Sequence, residues 1–190
     1  MNEDQRSLIT ADRLKALEYL ALISPKEGLG AEVGVYRGGS LKIIAEAMNP
    51  RMVYGFDTFT GLPSSKWNTT ETHEPGDFND TSEKEVLDLL GGAGLENVML
   101  FSGIFPNSII NVERVWAKYA FVHIDVDFYQ STKDALAFFW PMMVPGGIVV
   151  LDDYGWPYCP GVQEALNEFT PSVPIYRLAN YQVYLVKSEN

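Results

Sequence analysis

Two short segments concentrate the acid chemistry of this chain, His123-Ile124-Asp125-Val126-Asp127 and Leu151-Asp152-Asp153-Tyr154. Each follows an apolar, β-prone run, YAFVHI and GGIVVL, so both read as the ends of buried strands. In a parallel sheet such ends point to one face, and ligands bind there. The pattern over 119–127 predicts a strand that continues through both acids, which would put Asp125 and Asp127 on one side. Carboxylates gathered in this way repel one another unless some take up protons or a cation joins them. A hard divalent ion such as Mg²⁺, held by oxygen ligands, meets that need. It would lower the pKa of an alcohol or sugar hydroxyl, and a neighbouring carboxylate would take the proton as general base. The plainer alternative has Asp125 serving a cofactor while Asp152-Asp153 only cap a strand and a turn.

A second motif lies upstream. Ala31-Glu32-Val33-Gly34-Val35-Tyr36-Arg37-Gly38-Gly39-Ser40 joins a strand to a helix, with glycines spaced G-x-x-x-G-G. Glycine lets the backbone turn sharply and approach a ligand closely, and the helix behind it offers free N–H groups. The spacing is not the G-x-G-x-x-G of dinucleotide enzymes. Asp57 ends the next strand about twenty residues on, where an acid can accept from both ribose hydroxyls. Together these features indicate an adenosine-containing cofactor. The remaining candidates are weaker. His123 and His73 read as structural and solvated, Cys159 as a packing residue, and Trp67 and Phe78 as residues that could face an acceptor.

The elements that must position these groups alternate. Helices are expected at about 10–23, 40–48, 81–90, 132–142 and 162–169, with strands at 29–35, 52–57, 97–101, 119–127 and 145–153. Two adjacent β-rich segments, 174–178 and 181–187, read as a closing hairpin. This order predicts an α/β fold with a mainly parallel, doubly wound sheet and an antiparallel edge. Residues 58–80 are rich in turn formers and follow a strand end, so they read as a lid or acceptor loop.

Composition bounds the function. The chain has 190 residues, 46% hydrophobic and 21% charged, the profile of one globular domain, with 1–28 as a helical extension. A net charge of −11 argues against nucleic acid or an anionic membrane surface as partner. The polar start MNEDQRSLIT is unlike a signal peptide, and the single cysteine permits no internal disulfide, so a cytoplasmic location is expected.

AEVGVYRGGS, GFDTFTGLP, GDF, HIDVDFYQSTKDAL, PGGIVVLDDYG and CPGVQEAL, in this order, resemble the macrocin O-methyltransferase family over about residues 28–170. The block from His123 to Gly155 is its specific part. The resemblance implies a Rossmann-like class I fold that uses S-adenosylmethionine and a metal to methylate sugar hydroxyls of glycosylated natural products. It places Glu32, Gly34 and Ser40 at the S-adenosylmethionine site, Asp57 on the ribose, and Ser102 and Gly103 near the adenine. It assigns Asp125, Asp152 and Asp153 to Mg²⁺ and makes Asp127 the general base. Family members that methylate antibiotics carry more residues before the glycine motif, which leaves the acceptor and any homo-oligomer open. Three rivals remain: a methyltransferase for a catechol-like or other small hydroxyl, a non-catalytic nucleoside-binding module, and an NAD-dependent oxidoreductase disfavoured by the glycine spacing.

Overall fold

Alternating β-prone and amphipathic segments set the order of elements in this computed structural model, which describes residues 7–64, 71–169, 173–178 and 180–188. The strands are β1 Leu29–Val33, β2 Val53–Asp57, β3 Val98–Ser102, β4 Tyr119–Ile124, β5 Met143–Leu151, β6 Tyr176–Arg177 and β7 Val183–Val186. The helices are α1 Ala11–Ile23, α2 Gly39–Met48, α3 Glu83–Gly92, α4 Tyr129–Phe139 and α5 Pro160–Phe169. The seven strands form one sheet in the order β3-β2-β1-β4-β5-β7-β6. The first five strands pair in parallel, and β7 joins β5 and β6 antiparallel. The expected doubly wound sheet with an antiparallel edge is therefore the fold that forms. Among the described residues no helix is long and apolar enough to cross a membrane.

Apolar residues on the two faces of the sheet build two cores. On one face Phe139 and Leu136 of α4 and Leu166 of α5 pack against Phe56, Val122 and Leu151. On the other, Leu17 and Leu20 of α1, Leu41 and Ile44 of α2 and Leu90 of α3 pack against Val53, Phe121 and Val150. Burying such side chains stabilises the fold by about 1.5–3 kcal/mol each, before the entropy of ordering is subtracted. The cores also fix the strand ends, and so the functional groups, in space.

Several boundaries differ from the sequence expectation. β4 ends at Ile124 rather than at 127. The Asp125 N–H donates to Val33 O at 2.9 Å, and Asp127 adopts φ +57°, so the extended run breaks between the two acids. β1 stops at Val33 because Gly34 takes φ +90°, a left-handed conformation open to glycine. α4 starts at Tyr129, earlier than the apolar spacing predicts, and passes into a 3-10 turn at Trp140–Met142 that contains Pro141. α5 opens on Pro160, a first-turn position where proline costs no hydrogen bond.

Candidate active site

β1, β2 and β4 end side by side, and Gly34 lies where they meet. Its N–H donates to Phe56 O at 2.9 Å. A Cβ at this position would lie 1.7 Å from the Asp125 carbonyl oxygen, so no other residue fits. Asp57, at the end of β2, ties the loops together. Its Oδ2 accepts from the N–H groups of Val35 and Tyr36, each at 2.8 Å, and its Oδ1 from Phe59 N–H at 2.8 Å. Gly103 N–H in turn donates to Asp57 O at 2.9 Å.

Above these loops opens a cavity of about 360 Å³. Gly34, Ser40, Asp57 and Gly103 line it, and so do Asp125, Asp127 and Asp153. The glycine motif and the acid segments therefore share one wall. Ser102 and Glu32, both expected at a cofactor, are not on that wall. Ser102 is exposed at the end of β3. Glu32 is 0% exposed, and its Oε1 lies 2.7 Å from His123 Nδ1. β1 and β4 are paired so that Glu32 stands directly beside His123. Its carboxylate is buried against His123 and is not part of the cavity lining.

This pairing starts a buried polar line across the strand ends. His123 Nε2 lies 3.2 Å from Asp152 Oδ2. Asp152 Oδ1 accepts from Gln182 Nε2, just before β7, at 2.9 Å. Asp152 is 1% exposed, behind the cavity wall. Burial opposes a charge on His123, but the hydrogen bonds to Asp152 and Glu32 outweigh it and push its pKa up to about 10. The imidazolium thus places one positive charge between two carboxylates.

A second cation comes from α1. The Arg13 guanidinium lies 3.3 Å from Asp152 Oδ1 and 3.0 Å from Asp153 Oδ1. Even so, the cluster is strained electrostatically. Burial, then the charges of Asp152 and Asp153, lifts the Asp125 carboxyl well above the carboxylate range. Burial, with Asp152 beside it, lifts Asp153 too, and Arg13 opposes the rise. Burial and the nearby Asp153 push Asp127 up to about 6. The Asp127 Oδ1 accepts from the Cys159 thiol at 3.3 Å and lies 3.8 Å from His73 Nε2.

His73 belongs to the long loop after β2. Residues 65–70, with Trp67, lie outside the described residues, but 71–80 are docked. Glu71 Oε1 accepts from Tyr129 N–H at 2.8 Å and so caps α4. Thr72 Oγ1 donates to Tyr158 O at 2.8 Å. Leu62 N–H donates to Asp77 O and Gly76 N–H to Leu62 O, both at 2.9 Å. Phe78 packs edge-on against Tyr36, with ring centres 5.7 Å apart. His73 and Phe78 both line the cavity, together with Trp156. Sequence reasoning set His73, His123 and Cys159 aside and did not single out Arg13, Glu71 or Gln182. Only the position of His73 in the suspect loop hinted at its place.

The arrangement can bind a nucleoside-sized molecule against Gly34 and Asp57 and present an activated oxygen at Asp125, Asp127 and Asp153. Known proteins resemble this chain as a whole. A family model described as macrocin-O-methyltransferase (TylF) matches residues 5–181. The chain is 27% identical over 179 residues to the 8-demethyl-8-(2,3-dimethoxy-alpha-L-rhamnosyl)-tetracenomycin-C 4'-O-methyltransferase of Streptomyces olivaceus, across 86% of this chain and 67% of that protein. It is 26% identical over 182 residues to the mycinamicin III 3''-O-methyltransferase of Micromonospora griseorubida, across 86% of this chain and 69% of that protein. Among solved structures, the O-methyltransferase NovP superposes with a TM-score of 0.82 at 25% identity, over 96% of this chain and 82% of that one. An O-methyltransferase from Bacillus cereus in complex with SAH is 16% identical and shares the fold, with a TM-score of 0.69 over 96% of this chain and 84% of that one.

Proposed function

The chain belongs to the macrocin-O-methyltransferase family, and we propose that it transfers a methyl group from S-adenosylmethionine, with a divalent cation such as Mg²⁺, to a hydroxyl of a sugar or glycosylated natural product. One observation carries this reading: Asp125, Asp127 and Asp153 line the same cavity as Gly34, Ser40 and Asp57. Donor and acceptor groups therefore meet within a single enclosure, as in-line transfer requires. Residues 1–190 act as one methyltransferase domain, in which the described loop residues Thr58, Gly61, Leu62, Pro63, His73 and Phe78 border the acceptor.

Gly34, Ser40, Asp57 and Gly103 hold the donor. Asp57 does so as a brace, because its carboxylate already fixes the loops that shape the donor floor. Asp125, Asp152 and Asp153 would hold the cation through oxygen ligands, the chemistry a hard dication takes, and Asp152 would share an oxygen that Arg13, Gln182 or His123 now holds. The raised pKa values of Asp125 and Asp153 mark a site with negative charge in excess, which a cation relieves. Bound there, such an ion would lower the pKa of the acceptor hydroxyl.

Asp127 is the general base. The Cys159 thiol holds its Oδ1, and among the described residues no hydrogen bond falls on Oδ2. The acceptor oxygen forms its bond to the methyl carbon as the carbon–sulfur bond breaks, and Asp127 takes the hydroxyl proton. Tyr36, Phe78 and Trp156 offer apolar faces to the acceptor ring on the cavity wall.

Calorimetry with S-adenosylmethionine, with NAD as control, tests the donor. Absence of binding to the former sinks the proposal. Glycosides and phenols are then screened for Mg²⁺-dependent release of S-adenosylhomocysteine. Turnover of phenols alone would replace the sugar acceptor with a catechol-like one.

A further inference from the structure

We infer that His73, Asp127 and Cys159 form a second cation site, selective for a soft divalent ion such as Zn²⁺, and that filling it stops methyl transfer. The binding claim rests on side-chain geometry alone. The inhibitory claim rests on Asp127 being the base proposed above.

The three ligands come from separate parts of the chain. His73 lies in the docked loop, Asp127 between β4 and α4, and Cys159 just before α5. Their ligand atoms all lie within 4.8 Å of one another. Cys159 Sγ is 3.3 Å from Asp127 Oδ1, and His73 Nε2 is 3.8 Å from that same oxygen. A tetrahedral zinc with bonds of about 2.0–2.3 Å sets neighbouring ligand atoms roughly 3.3–3.7 Å apart. The Cys159–Asp127 separation fits an edge of such a tetrahedron, and His73, 3.8 Å from the same oxygen, would close in by a few tenths of an ångström on binding. His73 and Asp127 both line the cavity, so a fourth position faces it, open to water or to an acceptor oxygen.

Ligand chemistry separates this site from the carboxylate set. Imidazole and thiolate favour zinc and cobalt, whereas Mg²⁺ keeps to oxygen. Asp125 and Asp153 add negative charge nearby, and both act on the Cys159 thiol. At rest the thiol is protonated and serves Asp127 as a donor. Metal entry exchanges the S–H bond for an S–metal bond and releases one proton to solvent. It also ties the loop at His73 to the start of α5 and occupies the Asp127 carboxylate, so no base remains for the hydroxyl.

Cobalt(II) reads the site directly. Added to the full chain in saturating Mg²⁺, it should give the thiolate-to-cobalt charge-transfer band and the intense visible bands of tetrahedral cobalt, saturating at one ion per chain. The chain has a single cysteine, so any such band reports on Cys159. Zn²⁺ should displace the cobalt, and excess Mg²⁺ should not. His73→Gln should weaken cobalt binding by at least about tenfold. Absence of the band in the folded protein, or unchanged affinity in His73→Gln, overturns the site. If the band appears but Zn²⁺ leaves turnover intact, the site stands and the assignment of Asp127 as base falls.

Discussion

The Arg13 guanidinium lies 3.0 Å from Asp153 and 3.3 Å from Asp152, so the first turn of α1 delivers a positive charge into the carboxylate cluster. The two carboxylates serve this internal cation through oxygens that the proposed metal also requires. Arg13→Met should therefore tighten Mn²⁺ binding, measured by electron paramagnetic resonance, by on the order of tenfold, which corresponds to 1.4 kcal/mol. The metal-free variant should also melt at a lower temperature, because Asp153 loses its partner. Equal Mn²⁺ affinity in the two proteins would show that Arg13 and the ion do not compete.

Asp127→Asn removes the proposed base while keeping the size of the side chain. kcat should fall by about 10²–10⁴-fold. Binding of S-adenosylmethionine, followed by calorimetry, should stay close to wild type. Weakened donor binding with kcat preserved would move Asp127 from proton transfer to the donor site.

The buried pair of His123 with Glu32 and Asp152 gives stability a defined pH dependence. The folded pKa of His123, about 10, lies above its ordinary 6.5. Its contribution is therefore full below about 6.5 and is lost as pH rises through 10. Asp127 is also raised, to about 6 from 3.8, so its contribution is full below 3.8 and is lost as pH rises through 6. Both slopes run the same way. Thermal melts of the metal-free protein should show these groups costing stability between pH 4 and 10, with Mg²⁺ restoring more at pH 8 than at pH 5. His123→Ala, which leaves the buried Glu32 carboxylate without its cation and Asp152 with Arg13 alone, should cost about 3–5 kcal/mol in denaturant unfolding.

Gly34 and Gly91 form a matched pair of tests. Gly34→Ala forces a Cβ to within 1.7 Å of the Asp125 carbonyl oxygen at φ +90°. It should cost about 3 kcal/mol or more and abolish donor binding. Gly91 lies in α3 with nothing within 4 Å of an added Cβ. Gly91→Ala should stabilise the chain by about 0.5–1 kcal/mol through helix propensity.

Local pattern carried much of the fold. The β-prone runs and amphipathic segments marked the seven strands and five α-helices of the described residues to within a few residues. The end of β4 was not legible, because the alternation of HIDVD continues past Ile124, whereas Asp127 turns to φ +57° and ends the extended run. The paired acids stood out because their composition is unusual at strand ends. The groups that flank them did not. Arg13, His123 and Gln182 meet Asp152 only through tertiary packing, and nothing in the residues beside them in sequence announces it. His73 and Cys159 reach Asp127 in the same way, from a loop without periodicity and from the turn before α5. Glu32 sits in the glycine motif, and its contact with His123 likewise comes from strand pairing that the local sequence does not show.

The carboxylate of Asp152 is held by Arg13 from α1 and by Gln182 from just before β7. These residues lie far apart in the chain, and Asp152 itself follows β5. A ribosome making this protein delivers the arginine early, the aspartate late and the glutamine later still. β1 and β2, which run up to Gly34 and Asp57, are made well before the carboxylate corner is complete. Translation thus imposes an order of maturation, in which the residue 152 corner closes only after residue 182 has been made and has folded back onto β5.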